Sequence, residues 1–297
     1  MKDLTLVCID TFSHELAKKS IQKTIQNIEP KQIIIFSDKN FYSDAKWVQI
    51  DKLTRNDYSN FCIKKLYNYI TTEFVLIVQN DGMEIDSTKW TDEYFNFDYI
   101  GAPWPQSVFV DFSGVGNGGF SLRSKKLLYE LQNDNVVYNP IINKKNIWDT
   151  SGEDYVICIE YRNYLESKGI NFAPLDIAYQ FSHEFEPGRK PTFGFHGKFN
   201  VPHYLNDNEI EDFIRLLKIR FDKTYMIMLL ELIRLEKHDL AKLAIDLGRY
   251  NNVWNIFFSK KIDKYNVLKT CLHKINFSHP FVYDIIKKMK PEYADTE

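Results

Sequence analysis

The sequence has few cysteines, and none of them are spaced as a metal-binding or redox pair. The four are scattered, and each lies in an apolar run: Cys8, Cys62, Cys158 and Cys271. This pattern is typical of buried free thiols, because zinc sites and redox motifs place their cysteines in recognisable pairs. Unpaired thiols suit a reducing compartment, so we expect a cytoplasmic protein.

A large excess of charge of one sign is also absent. The chain has 38 Lys and Arg residues against 40 Asp and Glu residues, which leaves a formal net charge of −2. General nucleic-acid binding needs a basic excess or a basic stripe. We therefore expect no nucleic-acid partner.

Long hydrophobic runs are missing as well. No apolar run approaches the about 18 residues that a membrane-spanning helix needs. The first three residues lead directly into a short apolar run, without the pattern of a signal peptide. We expect no transmembrane segment and no signal peptide, and peripheral contact with a membrane stays an alternative.

Glycine is absent from the first 81 residues, and this part of the chain alternates between two patterns. Short apolar runs typical of strands occur at residues 4–9, 32–36, 47–50 and 74–78. Between them lie helical patterns, one with Ser13 as a candidate N-cap and one over residues 58–70. Alternation of strand and helix with short connections predicts an α/β fold built on a parallel sheet.

Polar residues end the last of these predicted strands. Gln79, Asn80 and Asp81 follow the apolar run 74–78 directly. Open α/β sheets bind their ligands at the carboxyl ends of the strands, and an acid placed there can hold a divalent cation that in turn holds a diphosphate. This stretch predicts a nucleotide-sugar site.

The glycines are concentrated in the middle of the chain, where 11 of the 12 lie between Gly82 and Gly197. Four of them fall within six residues, at positions 114, 116, 118 and 119, in a segment that matches neither a dinucleotide fingerprint nor a Walker loop. A tight turn is one explanation. We favour close approach to a ligand, because Asn117 and Arg123 flank the segment with donors.

Two further features have polar groups in suggestive settings. Glu153 and Asp154 begin a predicted helix and fit either an N-terminal cap or, opposite Asp81, a general base. His196 lies between glycines, which predicts a metal ligand or a phosphate contact rather than a packed core histidine. No other histidine has a comparable setting.

From residue 206 the chain changes to amphipathic helical patterns without a chemical motif. Helices are predicted at about 210–217, 225–235, 240–247 and 282–289, and Gly248 is a candidate C-cap. We predict a catalytic domain over residues 1–205 and a helical extension over 206–297. Structural packing is the simpler role for the extension, and acceptor or partner binding is the alternative.

Taken together, the motifs resemble those of a known family. They occur in this order: VQNDG at 78–82, DYIGAPW at 98–104, GNGGFSLRS at 116–124, ED at 153–154, FAP at 172–174 and FGFHG at 193–197. The chain resembles the DUF5672 family over roughly residues 1–200, and more distantly it is similar to inverting GT-A glycosyltransferases such as the β-1,4-galactosyltransferases. The resemblance implies a GT-A-like mixed sheet, related to the Rossmann fold and flanked by helices, with a C-terminal helical extension.

The resemblance also implies roles for individual residues. Asp81 matches the last acid of the DxD motif and His196 the late metal ligand, so the two would hold Mn²⁺ or Mg²⁺. Asp154 would be the catalytic base, assisted by Glu153. The sugar or acceptor pocket would contain Trp104, Asn117, Gly118, Gly119 and Arg123. The donor nucleotide would meet Asp10, Thr11, Asp38, Lys65, Gln79, Asn80 and Asp81.

One position departs from the family pattern, because the DxD motif reads Gln79-Asn80-Asp81 with a single acid. Metal binding would then depend on diphosphate oxygens and water for its remaining ligands, and a metal-free enzyme is the alternative. The function implied is transfer of a sugar, with inversion, from a nucleotide sugar such as a UDP-sugar to a glycan hydroxyl, in surface polysaccharide or glycoconjugate synthesis. A nucleotidyltransferase and an inactive glycan-binding or scaffold module are the rivals.

Overall fold

The structure is a computed structural model, and it describes residues 3–104, 114–133, 152–185, 191–218 and 223–247. These residues divide into two compact units, one ending at His196 and the other beginning at Gly197. The predicted division into a catalytic domain over residues 1–205 and a helical extension over 206–297 stays a prediction.

The secondary-structure elements are numbered along the chain. The strands are β1 (Leu4–Ile9), β2 (Gln32–Ser37), β3 (Lys46–Gln49), β4 (Phe74–Val78), β5 (Gly82–Glu84), β6 (Tyr99–Ile100), β7 (Pro103–Trp104), β8 (Gly114–Val115), β9 (Phe120–Ser124), β10 (Ser182–His183) and β11 (Gly194–His196). The α-helices are α1 (His14–Ile25), α2 (Arg55–Asn60), α3 (Lys125–Asn133), α4 (Glu153–Tyr155), α5 (Arg162–Ser167), α6 (Leu175–Phe181), α7 (Val201–Tyr204), α8 (Asp207–Leu216), α9 (Lys223–Arg234) and α10 (His238–Leu247).

The main sheet has the strand order β3-β2-β1-β4-β9-β6. Strands β3, β2, β1 and β4 run parallel, whereas β9 is antiparallel to both β4 and β6. The order 3-2-1-4 of the parallel strands is that of Rossmann-related folds. The predicted fold class, an α/β mixed sheet of this kind, is therefore confirmed.

The core explains why the apolar runs form strands. All six residues of β1 are buried, and β4 has four buried residues of five, as expected for strands covered on both faces. One hydrophobic cluster joins Val7, Ile34 and Val75 of the sheet to Phe61 and Leu66 of the helical segment between β3 and β4. The strand predicted at 74–78 is confirmed with the same bounds.

Two local predictions differ from the structure. Ser13 occupies the N-cap of α1 but its side chain makes no capping bond. Instead, Asp10 Oδ1 accepts the backbone N–H groups of Phe12 and Ser13, because its carboxylate lies just upstream of the turn. The helix predicted over 58–70 begins earlier, at Arg55, and continues from α2 through a π-helical turn over Phe61–Lys65 and a 3₁₀ turn over Leu66–Tyr69.

The second unit consists of helices in its described residues. Helix α8 begins with a capping box in which Asn206 and Glu209 exchange side-chain and backbone bonds. Tyr225 of α9 donates its hydroxyl to the carbonyl of Ala244 in α10 at 2.6 Å. The predicted helices at 225–235 and 240–247 correspond to α9 and α10, whereas Gly248 and the helix predicted at 282–289 lie outside the described residues.

Two other expectations concern the chain as a whole. Cys8, Cys62 and Cys158 are buried free thiols, as predicted, and Cys271 lies outside the described residues. Among the helices that the structure describes, none combines the length and the apolar character needed to span a membrane.

Candidate active site

Strand register brings two distant segments to the carboxyl end of β4. Strand β9 pairs with β4 so that Phe120 lies opposite Val78, and the backbone N–H of Gln79 donates to the carbonyl of Gly119 at 2.9 Å. Strand β11 pairs with β5 so that His196 lies opposite Gly82. The sheet edge that carries Asp81 therefore also carries the glycine-rich segment and His196.

His196 occupies the centre of this arrangement. Its Nε2 atom lies 3.2 Å from Asp81 Oδ1 and 3.2 Å from Gln79 Oε1. On the other side of the ring, Nδ1 lies 2.9 Å from Asn117 Nδ2 and 3.2 Å from Glu184 Oε1. Both ring nitrogens thus face polar groups, and a role of His196 as a metal ligand or phosphate contact stays a prediction.

The two carboxylates determine the charge of this ring. Burial lowers the pKa of His196, but the charges and hydrogen bonds of Asp81 and Glu184 oppose burial and raise the pKa well above its ordinary value.

Asp154 reaches the same cluster through the glycine-rich segment. The backbone N–H of Gly118 donates to Asp154 Oδ2 at 2.9 Å, and the N–H of Tyr155 donates to Oδ1 at 2.8 Å. The N–H of Gly119 donates to Asn117 Oδ1 at 3.0 Å. Asp81, His196, Asn117 and Asp154 are therefore linked through a few hydrogen bonds.

The glycines of this segment are packed against protein side chains. A Cβ atom on Gly116 would lie 2.1 Å from the Trp104 ring, one on Gly118 would lie 2.2 Å from Glu153 Oε1, and one on Gly119 would lie 2.1 Å from His196 Nε2. Contacts under about 3 Å leave no room for any larger residue. We predicted that these glycines let a ligand approach the backbone closely. In the structure, neighbouring side chains approach them closely.

Arg123 and Glu153 form a buried ion pair beneath this segment. Arg123 Nη2 donates to Glu153 Oε1 at 2.7 Å, and the side chain of Arg123 is 0% exposed. Burial and the nearby charge of Asp154 raise the pKa of Glu153, and Arg123 opposes that shift. Arg123 is buried in β9, which lies between β4 and β6. Glu153 is buried against Arg123 rather than placed at the surface.

The predicted nucleotide side of the site is held by internal hydrogen bonds. Asn80 Nδ2 donates to Asp10 Oδ2 at 2.8 Å, so Asp10 connects Asn80 with the turn after β1. Thr11 accepts the backbone N–H of Leu53 at 3.1 Å. Asp38 lies 2.7 Å from His14 Nε2; burial raises the pKa of Asp38, but His14 outweighs it and lowers the pKa.

Of the predicted site residues, Lys65 is not joined to Asp81 or Asp154 within the described residues, and Trp104 is buried. Lys65 is exposed on the π-helical turn, and within the described residues no hydrogen bond or ion pair joins it to Asp81 or Asp154. Trp104 is only 5% exposed, covers Gly116 with its ring and donates its indole N–H to Glu184 Oε2 at 3.1 Å. It therefore offers no open face to a sugar ring.

The family model described as "Protein of unknown function (DUF5672)" matches residues 38–196, more than half of the chain. The chain belongs to the DUF5672 family. The matched span contains Asp81, Asn117, Asp154 and His196, whereas Asp10 and Thr11 precede it. No curated protein matches this DUF5672 chain in sequence.

Solved structures resemble this DUF5672 protein only distantly. The bifunctional IspDF from Campylobacter jejuni is 11% identical over 46% of this chain and 45% of its own, with a TM-score of 0.34. S. aureus TarS 1–349 is 14% identical over 99% and 87%, with a TM-score of 0.35. The mannosyltransferase PcManGT from Pyrobaculum calidifontis, in complex with GDP-Man and Mn²⁺, is 9% identical over 97% and 87%, with a TM-score of 0.37. This chain thus covers less than half of the first, and none of these likenesses supports a shared activity.

Three residues of this DUF5672 site were missed by sequence reasoning. Glu184 contacts both His196 and Trp104. Tyr58 accepts the amide N–H of Gln79 at 2.7 Å, which turns Gln79 Oε1 toward His196. Arg55, at the start of α2, brings Nη2 to 3.8 Å from the Cβ position of Gly152, beside Asp154. None of them lies in a motif. Tyr58 begins the predicted helix, whereas Arg55 precedes that predicted start and carried no signal.

Proposed function

We propose that this protein is a glycosyltransferase that moves a sugar from a nucleotide-sugar donor to a hydroxyl acceptor, with inversion at the anomeric carbon. The observation that carries the proposal is the convergence of Asp81, His196, Asn117 and Asp154 at the carboxyl end of β4. Ligands of open α/β sheets bind at this edge, and the motif resemblance to GT-A enzymes assigns these residues to donor and acceptor binding.

Asp154 is the proposed general base. Each of its carboxylate oxygens accepts one backbone N–H, which fixes the group and leaves a further lone pair on each oxygen for a substrate hydroxyl. Asp154 removes the proton of the acceptor hydroxyl while its oxygen bonds to the anomeric carbon. The bond from that carbon to the diphosphate oxygen breaks on the opposite face, and the nucleoside diphosphate leaves with the electron pair.

A divalent cation in this site would be held by donor atoms near His196. Gln79 Oε1 and Asp81 Oδ1 each lie 3.2 Å from His196 Nε2, so one amide oxygen, one carboxylate oxygen and one imidazole nitrogen would be its protein ligands. Within the described residues, however, no three His, Cys, Asp or Glu side chains converge on one point. The carboxylate and amide oxygens suit Mn²⁺ or Mg²⁺, and diphosphate oxygens would complete the shell.

When bound, such a cation supplies positive charge against the departing diphosphate. Binding at Nε2 would also require that this nitrogen carry no proton. Gln79 is held in place for this role by Tyr58, and Asp81 by its position at the end of β4. The UDP-sugar donor, the glycan acceptor and the cytoplasmic location belong to the same proposal.

The first experiment is a thermal-shift screen of nucleotide sugars with the full chain, with and without Mn²⁺. A ligand that binds only the native state raises the melting temperature, by an amount that corresponds to about 2.7 kcal/mol at 100 times Kd. Sugar transfer or donor hydrolysis is then measured with the donor that binds. A binding module would show a shift without turnover, and a nucleotidyltransferase would release pyrophosphate from a nucleoside triphosphate and a sugar phosphate.

Asp154→Asn tests the base directly. We expect the variant to bind the donor as the wild type does and to lose turnover by about 10²- to 10⁴-fold, the usual contribution of a general base. Asp176→Asn, an equal change of charge at an exposed position of α6, is the matched control and should leave turnover unchanged. A folded Asp154→Asn protein with wild-type turnover would exclude the proposed role.

A further inference from the structure

Glu184 is an acidic residue of the cluster that the proposed chemistry does not use. It follows β10, and its side chain is 11% exposed. Oε2 accepts the indole N–H of Trp104 at 3.1 Å, and Oε1 lies 3.2 Å from Nδ1 of His196. The carboxylate therefore bridges a fixed indole and the imidazole of the proposed cation site.

Trp104 fixes one oxygen of this carboxylate. Its ring occupies the space in front of Gly116, where a Cβ atom would come within 2.1 Å of it, and it is almost fully buried. The indole N–H is a donor only, so it holds Oε2 of Glu184. The remaining oxygen is left facing His196.

Glu184 and Asn117 favour opposite proton positions on His196. Asn117 Oδ1 accepts the Gly119 N–H, so the atom it turns toward Nδ1 is the donor Nδ2, at 2.9 Å. Asn117 Nδ2 can donate to Nδ1 only when Nδ1 carries no proton, whereas Glu184 Oε1 can accept a hydrogen bond only from a protonated Nδ1. In a neutral ring, a proton on Nδ1 leaves the lone pair of Nε2 facing Asp81 and Gln79.

We infer that Glu184 is the positioning residue that holds the proton on His196 Nδ1, so that Nε2 can bind a divalent cation together with Asp81 and Gln79. The inference rests on the cation site of the proposed function. Histidine ligands commonly donate their second N–H to a carboxylate, and loss of that partner costs about 10- to 100-fold in metal affinity. Trp104 acts one step further out, through Glu184.

The test measures Mn²⁺ binding to the full chain by the loss of the free-ion electron paramagnetic resonance signal. In Glu184→Gln, the amide oxygen can accept the Trp104 N–H, which turns the NH₂ group toward Nδ1 and favours the proton on Nε2. We expect Mn²⁺ affinity to fall about 10- to 100-fold. Glu166→Gln, the same substitution at an exposed position of α5, should bind Mn²⁺ as the wild type does.

A spectroscopic readout separates positioning from general damage. With the diamagnetic Mg²⁺ bound, ¹⁵N chemical shifts of His196 should show the proton on Nδ1 in the wild type and a loss of that state in Glu184→Gln. Trp104→Phe keeps an aromatic ring but removes the N–H, and it should weaken Mn²⁺ binding by a smaller factor. If Glu184→Gln does not fold, Trp104→Phe provides the test in its place. Wild-type affinity in these variants, or no Mn²⁺ binding by the wild type, would overturn the inference.

The failures of the two proposals are distinguishable. If nucleotide sugars raise the melting temperature and Glu184→Gln still binds Mn²⁺ as the wild type does, only the positioning role is wrong. If no nucleotide sugar binds, the proposed function fails, whereas the Mn²⁺ titration and the ¹⁵N shifts still report on Glu184.

Discussion

At the scale of single residues, the buried ion pair of Arg123 and Glu153 supports the glycine-rich segment. Arg123 and Ser121 both donate to the carbonyl of Gly118, at 3.4 and 2.8 Å, while the N–H of the same residue holds Asp154. The Arg123 guanidinium also lies 5.3 Å from the centre of the Tyr99 ring. Arg123 thus contacts the carbonyl of Gly118, and the N–H of Gly118 holds the proposed base Asp154.

Removing one member of this pair should be strongly destabilising. Arg123→Met leaves the Glu153 carboxylate buried without its partner, and breaking a buried pair costs about 3–5 kcal/mol. Combining it with Glu153→Met removes both charges, so we expect the double variant to be more stable than the two single effects predict together. Urea denaturation of the four proteins gives this coupling as a double-mutant cycle.

An exposed ion pair gives the matched comparison for that cycle. Glu211 and Arg215 are 2.7 Å apart on α8, with about half of each side chain exposed. Surface pairs contribute about 0–1 kcal/mol, so the same cycle on this pair should show little coupling. Equal coupling for both pairs would mean that burial does not govern the Arg123–Glu153 interaction.

Residue roles were the part of the site that the sequence predicted least well. Within the GNGGFSLR motif, Asn117 and Gly119 lie against His196, and Gly118 lies against Asp154. Their roles in substrate binding stay predictions. Arg123 was assigned to the pocket because it flanks the glycines with a donor, yet it lies in β9, a central strand whose five residues are all buried. Glu184 carries no local signal, because only the pairing of β10 with β11 brings it to His196.

At the scale of elements, prediction succeeded where the residue pattern is compatible with only one type of secondary structure. The strands β1 and β4 are continuous apolar runs, and their predicted bounds agree with the structure. The start of the helix after β3 was missed because Thr54 and Asp57 form a capping box ahead of the apolar positions. The antiparallel insertion of β9 between β4 and β6 depends on long-range register, which periodicity within one segment does not contain.

Helix α9 is joined to α7 through a buried polar cluster that makes stability depend on pH. His203 Nε2 lies 2.6 Å from Glu231 Oε2, and Arg234 donates to the same oxygen at 2.8 Å. Burial raises the pKa of Glu231, but His203 and Arg234 outweigh it and lower the pKa below its ordinary value. A carboxyl group whose pKa is lower in the folded state stabilises the fold above its unfolded pKa of about 4.3.

We therefore expect the melting temperature to fall as the pH drops from about 5 through the lower folded pKa of Glu231. Glu231→Gln should reduce this dependence and should cost about 1–3 kcal/mol at neutral pH, because it leaves polar partners of a buried group unsatisfied. Thermal melts across this pH range provide the measurement. Glu211→Gln, at an exposed position of α8, is the control, and an identical pH profile for both variants would contradict the assignment.

At the scale of the whole molecule, the family match and the site coincide. The DUF5672 span, 38–196, contains the end of β4, the glycine-rich segment, Asp154, Glu184 and His196. The proposed transfer chemistry thus lies within the part of the chain that defines the family. The composition argues against general nucleic-acid binding, and the sheet order indicates the edge at which open α/β sheets bind their ligands. Neither identifies a substrate, because its recognition depends on side chains that only tertiary pairing brings together.

The small number of protein ligands predicts that cation and donor bind cooperatively. Asp81, Gln79 and His196 supply one carboxylate, one amide oxygen and one imidazole nitrogen, so a divalent cation needs further oxygens that a diphosphate can supply. Mn²⁺ should then raise the affinity for a nucleotide sugar, and the nucleotide sugar should raise the affinity for Mn²⁺ by the same factor, about 5- to 150-fold. Melting temperatures over a grid of both concentrations measure this coupling, and Asp81→Asn should abolish it. Strictly additive shifts in the wild type would show that the donor binds without contact to the cation, and would contradict a cation site shared by Asp81, Gln79, His196 and the diphosphate.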